Sequence, residues 1–314
     1  MQQERYLPEG FHTVFSETQF DNRSTGDPYT AWERGSRIDG IATLCDENRA
    51  LHVRFWGEKG IIPREEAGLG ADVGTLKDIA VLSRVGQPVC FRIIGKEGDH
   101  WILSRRSLQE EAHNCFMKNL RSGAVLEAKV THLEQFGAFV DIGCGLISMI
   151  GIENISVSRI RSAKQRFFAG QEIKVAVLRI DCGSGRIDLT HKELLGTWEE
   201  NAAKLTPGCA VRGIVRSIKR YGAFIELTPN LSGLSEPCPG LEEEMQVVVY
   251  IRSILPEKMK IKLSVADRGK TDGVRFICSE DYHISSPQLR VWRYPPESCI
   301  TRQIETDFSG NELL

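Results

Sequence analysis

The 314-residue sequence has no long hydrophobic run, and this absence limits the classes of protein to which it can belong. No stretch of about 18 apolar residues is present, so no membrane-spanning helix and no membrane partner are predicted. The segment MQQERYLPEG has no apolar core, so we expect no secretory signal there. The predicted location is therefore the cytoplasm.

Paired cysteine motifs are also missing. The nine cysteines form no C-x-x-C pair, and an odd number without such pairs favours reduced thiols over a disulfide framework or a zinc site. No Ser/His/Asp order, carboxylate pair or metal-ligand spacing stands out, and His132, His191 and His283 are expected to be isolated surface residues. We therefore predict no enzyme, no catalytic residue, no metal and no cofactor.

A strong excess of basic charge is lacking as well. The net charge of −2 makes the whole chain a poor candidate for a purely electrostatic nucleic-acid binder. Three segments nevertheless carry small positive charges, +1 over residues 30–106, +2 over 121–193 and +3 over 206–270. The acidic excess lies in the remaining segments.

What the sequence does contain is an internal repeat. GAVLEAKVTHLEQFGAFVDIG begins at Gly123, GCAVRGIVRSIKRYGAFIELT begins at Gly208, and a weaker copy, GSRIDGIATLCDENRALHVRF, begins at Gly35. The three copies end on the similar phrases HWILSRRS, RIDLTHKE and KIKLSVAD. Self-similarity at a fixed period indicates tandem copies of one structural unit.

Apolar and polar residues alternate within each copy, which predicts half-buried strands. Four or five short strands with glycine-rich turns indicate a small closed barrel. We predict an all-β chain of three tandem five-stranded barrels joined by short helices, with a small C-terminal extension that forms a strand pair on the third barrel. The predicted domains are an N-terminal arm (1–29), repeat 1 (30–106), a linker helix (107–120), repeat 2 (121–193), a linker helix (194–206), a shortened repeat 3 (207–266) and the C-terminal extension (267–314).

The two aromatic-Gly-Ala-Phe blocks place rings where core packing does not need them. Because the aliphatic residues that follow point inward, Phe139 and Phe224 lie on the outer faces of their strands. A glycine after Phe136 and after Tyr221 permits a bulge that brings each of these rings beside its partner. Exposed rings beside cations suit single-stranded nucleic acid, because bases stack on rings and cations follow the backbone. The alternative for the rings is a role in the core.

The same strand phase predicts cations beside the rings. Arg186 is outward in repeat 2, and Lys260 and Lys262 are outward in repeat 3. The segment RIRSAKQR adds four cations that we predict to contact phosphates: Arg159, Arg161, Lys164 and Arg166. Two alternatives stay open, since charge runs are often only solvated loops and Arg186 has a possible ion-pair partner in Asp181.

The phrases GAVLEAKVTHLEQFGAFVDIG, GQEIKVAVLRID and GRIDLTHK resemble the S-one domain, an oligonucleotide-binding-fold repeat named after the largest protein of the bacterial small ribosomal subunit. The resemblance covers residues 121–193 and 207–266 well and 34–106 weakly. The three-repeat layout with TWEENAAKL between copies resembles short bacterial homologues of that protein.

This resemblance implies single-stranded RNA binding through two aromatics, a histidine, an aspartate and an arginine. It assigns the aromatic places to Phe136, Phe139, Tyr221 and Phe224, the acid and base of repeat 2 to Asp181 and Arg186, and the arginine place of repeat 3 to Lys260. The sequence departs from the family at the histidine, whose places hold Gly151 and Glu236, and at the aspartate of repeat 3, whose place holds Leu255.

The leading hypothesis is a cytosolic single-stranded RNA-binding protein that acts in translation or RNA metabolism, with mRNA as its partner. Repeat 2 is expected to bind most strongly and repeat 3 to assist. In repeat 1, Arg49 and His52 occupy the aromatic places. Repeat 1 is therefore either a docking surface for the ribosome or an RNA-processing protein, as degenerate copies are in this family, or a structural spacer. The alternative function is a protein-interaction scaffold that docks on the ribosome or a nuclease, with incidental RNA contact.

Overall fold

The computed structural model describes residues 6–11, 26–268, 282–284, 286–300 and 302–309. Three closed five-stranded barrels and a two-stranded sheet follow one another along these residues, which confirms the predicted all-β class. The described residues form two compact units. The first runs up to Leu120 and includes Glu127–Lys129 and Asp141–Ile147, and the second comprises the remaining residues from Arg121 onward.

The first barrel has the strand order β1-β2-β3-β5-β4. Its strands are β1 (Ile38–Cys45), β2 (Leu51–Phe55), β3 (Glu58–Ile62), β4 (Pro88–Glu97) and β5 (His100–Ser104). Helix α1 (Pro28–Arg34) precedes the barrel, and α2 (Asp78–Leu82) lies between β3 and β4. Val53 and Phe55 are buried in the core, as their alternation predicts.

The second barrel has the order β10-β8-β7-β6-β9. Its strands are β6 (Val125–Leu133), β7 (Gly137–Asp141), β8 (Ile147–Gly151), β9 (Glu172–Asp181) and β10 (Arg186–Thr190). The third barrel has the order β11-β12-β13-β15-β14. Its strands are β11 (Ala210–Lys219), β12 (Gly222–Thr228), β13 (Leu231–Ser235), β14 (Gln246–Leu255) and β15 (Lys260–Arg268). In each of these two barrels the last strand closes the sheet by parallel pairing with the third.

Helices precede the second and third barrels, but only the first is long. Helix α3 (Arg106–Asn119) spans almost the whole predicted linker. The second linker holds a 3₁₀ turn over Lys192–Leu195 and then the short α4 (Trp198–Ala202). Gly196, at φ +82°, separates the two, and the Thr197 side chain caps α4 in a capping box with Glu200.

The C-terminal extension contains the predicted strand pair. Strand β16 (Val291–Arg293) pairs antiparallel with β17 (Glu305–Asp307). Trp292, Tyr294 and Phe308 are buried in the cluster of apolar side chains that forms the core of the third barrel. The pair therefore packs on the third barrel, as expected, while residues 269–281 lie outside the described residues.

Asp141, the acid that follows the first aromatic-Gly-Ala-Phe block, is almost fully buried. Its carboxylate accepts hydrogen bonds from the amides of Gly143 (2.8 Å), Gly145 (3.0 Å) and Glu9 (2.7 Å). Burial raises the pKa of Asp141, and the negative charge of Glu9 adds to this rise. Burial alone would also raise the pKa of Glu9, but its ion pair with Arg105 (2.7 Å) lowers it. Residues 6–11 are thus packed against their unit.

Glu226, the acid that follows the second aromatic-Gly-Ala-Phe block, is fully buried between two arginines. Glu226 Oε2 accepts from Arg166 Nη2 (2.8 Å) and from Arg216 Nε (2.7 Å). Arg166 belongs to the segment that connects β8 to β9, and its Nε also donates to Ser156 Oγ (3.2 Å). Nearby, Asn230 Oδ1 accepts from the amide of Val157 (2.9 Å). The connecting segment of repeat 2 therefore covers the acid of repeat 3.

We expect Glu226→Ala to destabilise the fold by about 3–5 kcal/mol, because it leaves two buried or nearly buried guanidinium groups without their carboxylate. The free energy of urea unfolding measures this loss. The exposed Glu257→Ala is the matched control and is expected to stay within about 0.5 kcal/mol of the parent chain. Equal stability of the two variants would show that the ion pair contributes nothing.

His191 is fully buried, so its predicted surface position is wrong. Its Nδ1 donates to the Ile155 carbonyl oxygen (3.0 Å), its Nε2 lies 3.3 Å from the Tyr282 hydroxyl, and Phe167 packs edge-on against its ring. Burial lowers the pKa of His191 to about 4. The folded chain therefore holds this imidazole neutral at pH values where an unfolded chain would protonate it.

Acidification is expected to destabilise the chain through His191. Between pH 6.5 and 4 the unfolded state binds a proton at His191 and the folded state does not. The free energy of unfolding therefore falls as pH falls through this window. The loss is on the order of 3 kcal/mol. Unfolding free energies of His191→Gln measured across this range should show a shallower dependence on pH. A dependence on pH as steep in His191→Gln as in the parent chain would contradict this role of His191.

Candidate nucleic-acid interface

The aromatic pair of repeat 2 lies on the hairpin that joins β6 to β7. Phe136 occupies the turn and is 56% exposed, while Phe139 is half-buried on the outer face of β7. Their ring centroids are 6.1 Å apart and the rings stand at 89° to each other. Phe136 and Phe139 thus meet edge to face. A base can stack on a ring face that the other ring does not cover.

Repeat 3 builds the same arrangement on the hairpin that joins β11 to β12. Tyr221 lies in the two-residue turn and is 62% exposed, and Phe224 is half-buried on β12. The centroids are 6.2 Å apart at an interplanar angle of 86°. Near-identical geometry in two barrels follows from the repeated block itself, because both pairs use the same positions of one hairpin.

The glycine in each block allows two backbones to approach closely. A Cβ on Gly137 would lie 2.3 Å from the Ile150 carbonyl oxygen, and a Cβ on Gly222 would lie 2.0 Å from that of Ser235. The register shift in the second hairpin falls between Val215 and Ser217 rather than at Gly222. The glycine of repeat 3 therefore serves tight strand packing beside the rings, whereas the sequence suggested a bulge there.

A histidine ring joins the platform of repeat 2 from a position that sequence reasoning missed. The centroid of His132, on β6, lies 6.2 Å from that of Phe139 with the planes tilted by 31°. Its Nε2 lies 2.7 Å from Glu134 Oε1. His132 was expected to be isolated, yet strand pairing brings it beside Phe139. The only available signal was its place on the outer face, opposite the aromatic block.

The predicted acid and base of repeat 2 flank the turn between β9 and β10. Asp181 accepts hydrogen bonds from the hydroxyl of Ser184 (2.6 Å) and from the amide of Gly183 (2.9 Å), and these bonds, that of Ser184 first, lower its pKa. Arg186 is exposed and lies opposite Asp181 in the strand register. Asp181 thus shapes the turn that positions Arg186.

The basic segment 159–166 divides into exposed and buried cations. Arg159 and Lys164 are exposed. Arg161 is exposed as well, and it forms an ion pair with Glu243. Arg166 is buried against Glu226, as described above, and a side chain in that position has no surface to offer a phosphate. The structure therefore does not bring these four cations together on one surface.

The cations predicted in repeat 3 are both outward on β15. Lys260 and Lys262 are exposed, and the residue between them, Ile261, is buried. The register places Lys262 beside Leu234 of β13, which in turn pairs with Phe224. A cation thus lies two strands from the aromatic pair, on the same face.

Repeat 1 has a different surface at the corresponding hairpin. Arg49 precedes β2 with a positive φ of 63°, and its Nε lies 3.4 Å from Asp78 Oδ2. His52 Nε2 lies 3.2 Å from Asp46 Oδ2. Exposed apolar side chains appear instead in the segment between β3 and β4, at Leu69, Val73, Ile79, Leu82 and Val85. The first barrel therefore offers no aromatic pair at that hairpin.

The part of the chain that the structure describes contains neither a cluster of metal ligands nor a membrane-spanning helix. No group of three or more His, Cys, Asp or Glu side chains there is placed to hold a metal ion. No described helix combines the length and apolar character needed to cross a bilayer.

Comparison with known proteins points to one family. A model of the S1 RNA binding domain, the S-one domain of the sequence analysis, matches residues 119–192. The chain is 29% identical over 251 residues to the small ribosomal subunit protein bS1 of Rhizobium meliloti (strain 1021), which covers 74% of this chain and 43% of that protein. It is 32% identical over 194 residues to the bS1 homolog of Bacillus subtilis (strain 168), which covers 57% of this chain and 50% of that protein.

One solved structure, a multidomain protein with nucleic acid binding domains from Streptococcus pneumoniae TIGR4, aligns over 75% of both chains at 16% identity and a TM-score of 0.25. The chain spans about half the length of the curated relatives it matches. Residues 119–192 thus match the S1 RNA binding domain, within a sequence that resembles the small ribosomal subunit proteins bS1 over much of its length.

Proposed function

We propose that the chain binds single-stranded RNA through the aromatic pairs of repeats 2 and 3. The observation that carries this proposal is the recurrence of an exposed and a half-buried ring, nearly perpendicular to each other, on equivalent hairpins of two barrels. Unstacked RNA bases bind such platforms by stacking. The match to the S1 RNA binding domain and the likeness to bS1 proteins support RNA as the ligand. The RNA that we propose is mRNA during translation.

Cations near the rings would neutralise the RNA backbone. The exposed candidates are Arg186, Arg159 and Lys164 in repeat 2 and Lys260 and Lys262 in repeat 3. Arg161 would have to leave Glu243 to contribute, and Arg166 is left out because it is buried. A few phosphate contacts of this kind predict moderate, salt-sensitive binding, with a slope of about −0.7 per contact in log K against log[salt] for a single strand.

Repeats 2 and 3 would act together. The buried pair of Arg166 and Glu226 fixes the connecting segment of repeat 2 on repeat 3. Two weak sites on one body gain affinity because the second contact becomes intramolecular. RNA that reaches both aromatic pairs should therefore bind more tightly than RNA that reaches one.

Replacing both rings of repeat 2, Phe136→Ala with Phe139→Ala, is expected to weaken the binding of a labelled 12-nucleotide single-stranded RNA by about 2 kcal/mol, because two stacking surfaces are lost. Fluorescence anisotropy at low and physiological salt measures the change. Tyr250→Ala is the matched control, since Tyr250 is an exposed ring on β14, a strand that does not neighbour β12. Unchanged binding by the double variant would contradict the proposal.

One observation favours a second function for repeat 1. Its exposed apolar side chains between β3 and β4, Val73 and Ile79 above all, are 71% and 68% exposed. Several exposed apolar side chains within one short segment favour a protein contact. We propose that this segment docks the chain on the ribosome, as the likeness to small ribosomal subunit proteins suggests.

Val73→Ser with Ile79→Ser is expected to reduce co-sedimentation with purified small ribosomal subunits at least fivefold. An excess of single-stranded RNA should be present to occupy repeats 2 and 3. Binding of free RNA by repeats 2 and 3 should be unaffected, and an unchanged thermal unfolding profile serves as the control for the folding of repeat 1. Undiminished co-sedimentation would leave repeat 1 as a structural spacer.

A further inference from the structure

Repeats 2 and 3 place different side chains in the same row across their outer faces. In repeat 3 the row runs from Phe224 on β12 through Leu234 on β13 to Lys262 on β15. The phrases RIDLT and KIKLS align β10 with β15, so the place of Lys262 is held in repeat 2 by Asp188. A cation in one repeat thus corresponds to a carboxylate in the other.

The row in repeat 2 begins at Phe139. The amide of Ile152 donates to the Phe136 carbonyl oxygen (2.9 Å), and this register of β7 and β8 puts Met149 across from Phe139. Met149 pairs with Asp188 in the parallel ladder of β8 and β10. Both neighbours of Asp188 in β10 are buried, so its side chain points outward, on the face that carries the rings.

Asp188 is held in place by the next strand. Arg179 Nη2 and Nε donate to Asp188 Oδ2 at 2.7 and 3.2 Å. Both bonds go to the same carboxylate oxygen, and Oδ1 takes neither of them. The Asp188 side chain is 37% exposed and that of Arg179 is 64% exposed, so a ligand on this face can reach both.

The spacing of the row suits a stacked base. Neighbouring strands are about 4.8 Å apart, so β7 and β10 are separated by about 10 Å. A base that stacks on Phe139 and lies over Met149 turns its edge toward Asp188, and a purine extends farther than a pyrimidine. A carboxylate only accepts hydrogen bonds. Guanine presents two adjacent donors, N1–H and N2–H, on one edge, whereas adenine presents only N6–H.

We infer, on the basis of the proposed RNA binding, that Asp188 and its partner Arg179 give repeat 2 a preference for guanine. Asp188 accepts from the Watson–Crick edge of the base, and Arg179 orients the carboxylate. Lys262 at the same place in repeat 3 has no acceptor for N1–H and N2–H, so we assign it to phosphate and expect repeat 3 to bind without this preference. The two repeats thereby divide the recognition of base and backbone.

Four 12-nucleotide oligouridines that carry G, A, C or U at one central position test this inference with the intact chain. We expect the guanine oligomer to bind about tenfold more tightly than the all-uridine oligomer. Asp188→Asn should reduce that ratio to within about twofold. The readout is the ratio of guanine to uridine affinity rather than either affinity alone. Asp188→Asn removes a negative charge and frees Arg179, so it is expected to raise the affinity for every RNA.

Lys262→Gln is the matched control at the equivalent place in repeat 3. It should weaken all four oligomers alike, reduce the salt slope by about 0.7 and keep the guanine preference. Equal binding of the four oligomers by the parent chain, or a guanine preference that survives in Asp188→Asn, overturns the inference while RNA binding itself stands. Failure of all four oligomers to bind removes both the inference and the proposed function.

Discussion

A carboxylate buried on the outside of a barrel is the constraint on which much of this structure depends. A buried charge is tolerated only when it is paired or hydrogen-bonded. Asp141 meets this requirement with backbone amides, and Glu226 meets it with two arginines. Each acid follows an aromatic-Gly-Ala-Phe block, and the rings of that block lie at the hairpin end of the same strand. The acid end of the strand is therefore covered by other segments of the chain, while the hairpin end, with its rings, is open to a ligand.

Sequence periodicity was sufficient for the architecture, because a barrel strand buries every second residue whatever its partners are. The three barrels, the C-terminal strand pair and the outward rings of Phe139 and Phe224 all follow from that rule. Burial on the outer face was not predictable in this way. Alternation places the Glu226 side chain on the outer face of its strand. A side chain on that face is exposed only when no other segment covers the strand. The residue that covers it, Arg166, lies in a charge run that has the pattern of a solvated loop.

In the candidate site, too, contacts within one hairpin were predictable from the sequence, whereas contacts between residues far apart in the sequence were not. The ring pairs are local, since both rings of each pair belong to one hairpin. His132 joins the platform through pairing between strands, and Asp188 meets Met149 across a parallel ladder. His191 has no signal of burial in its own neighbourhood, because its partners Ile155 and Tyr282 are far away in sequence. Such contacts become visible only when the fold is known.

The pairing of Arg166 with Glu226 also has a consequence for how the chain folds during synthesis. The arginine precedes the glutamate by 60 residues and therefore leaves the ribosome first. While it waits for its partner, its guanidinium can remain in water at no cost, since an exposed arginine is well solvated. When the third barrel then folds, its carboxylate meets a cation that is already in place. Because domains generally fold in the order of their synthesis, Arg166 and Arg216 are both present when Glu226 becomes buried.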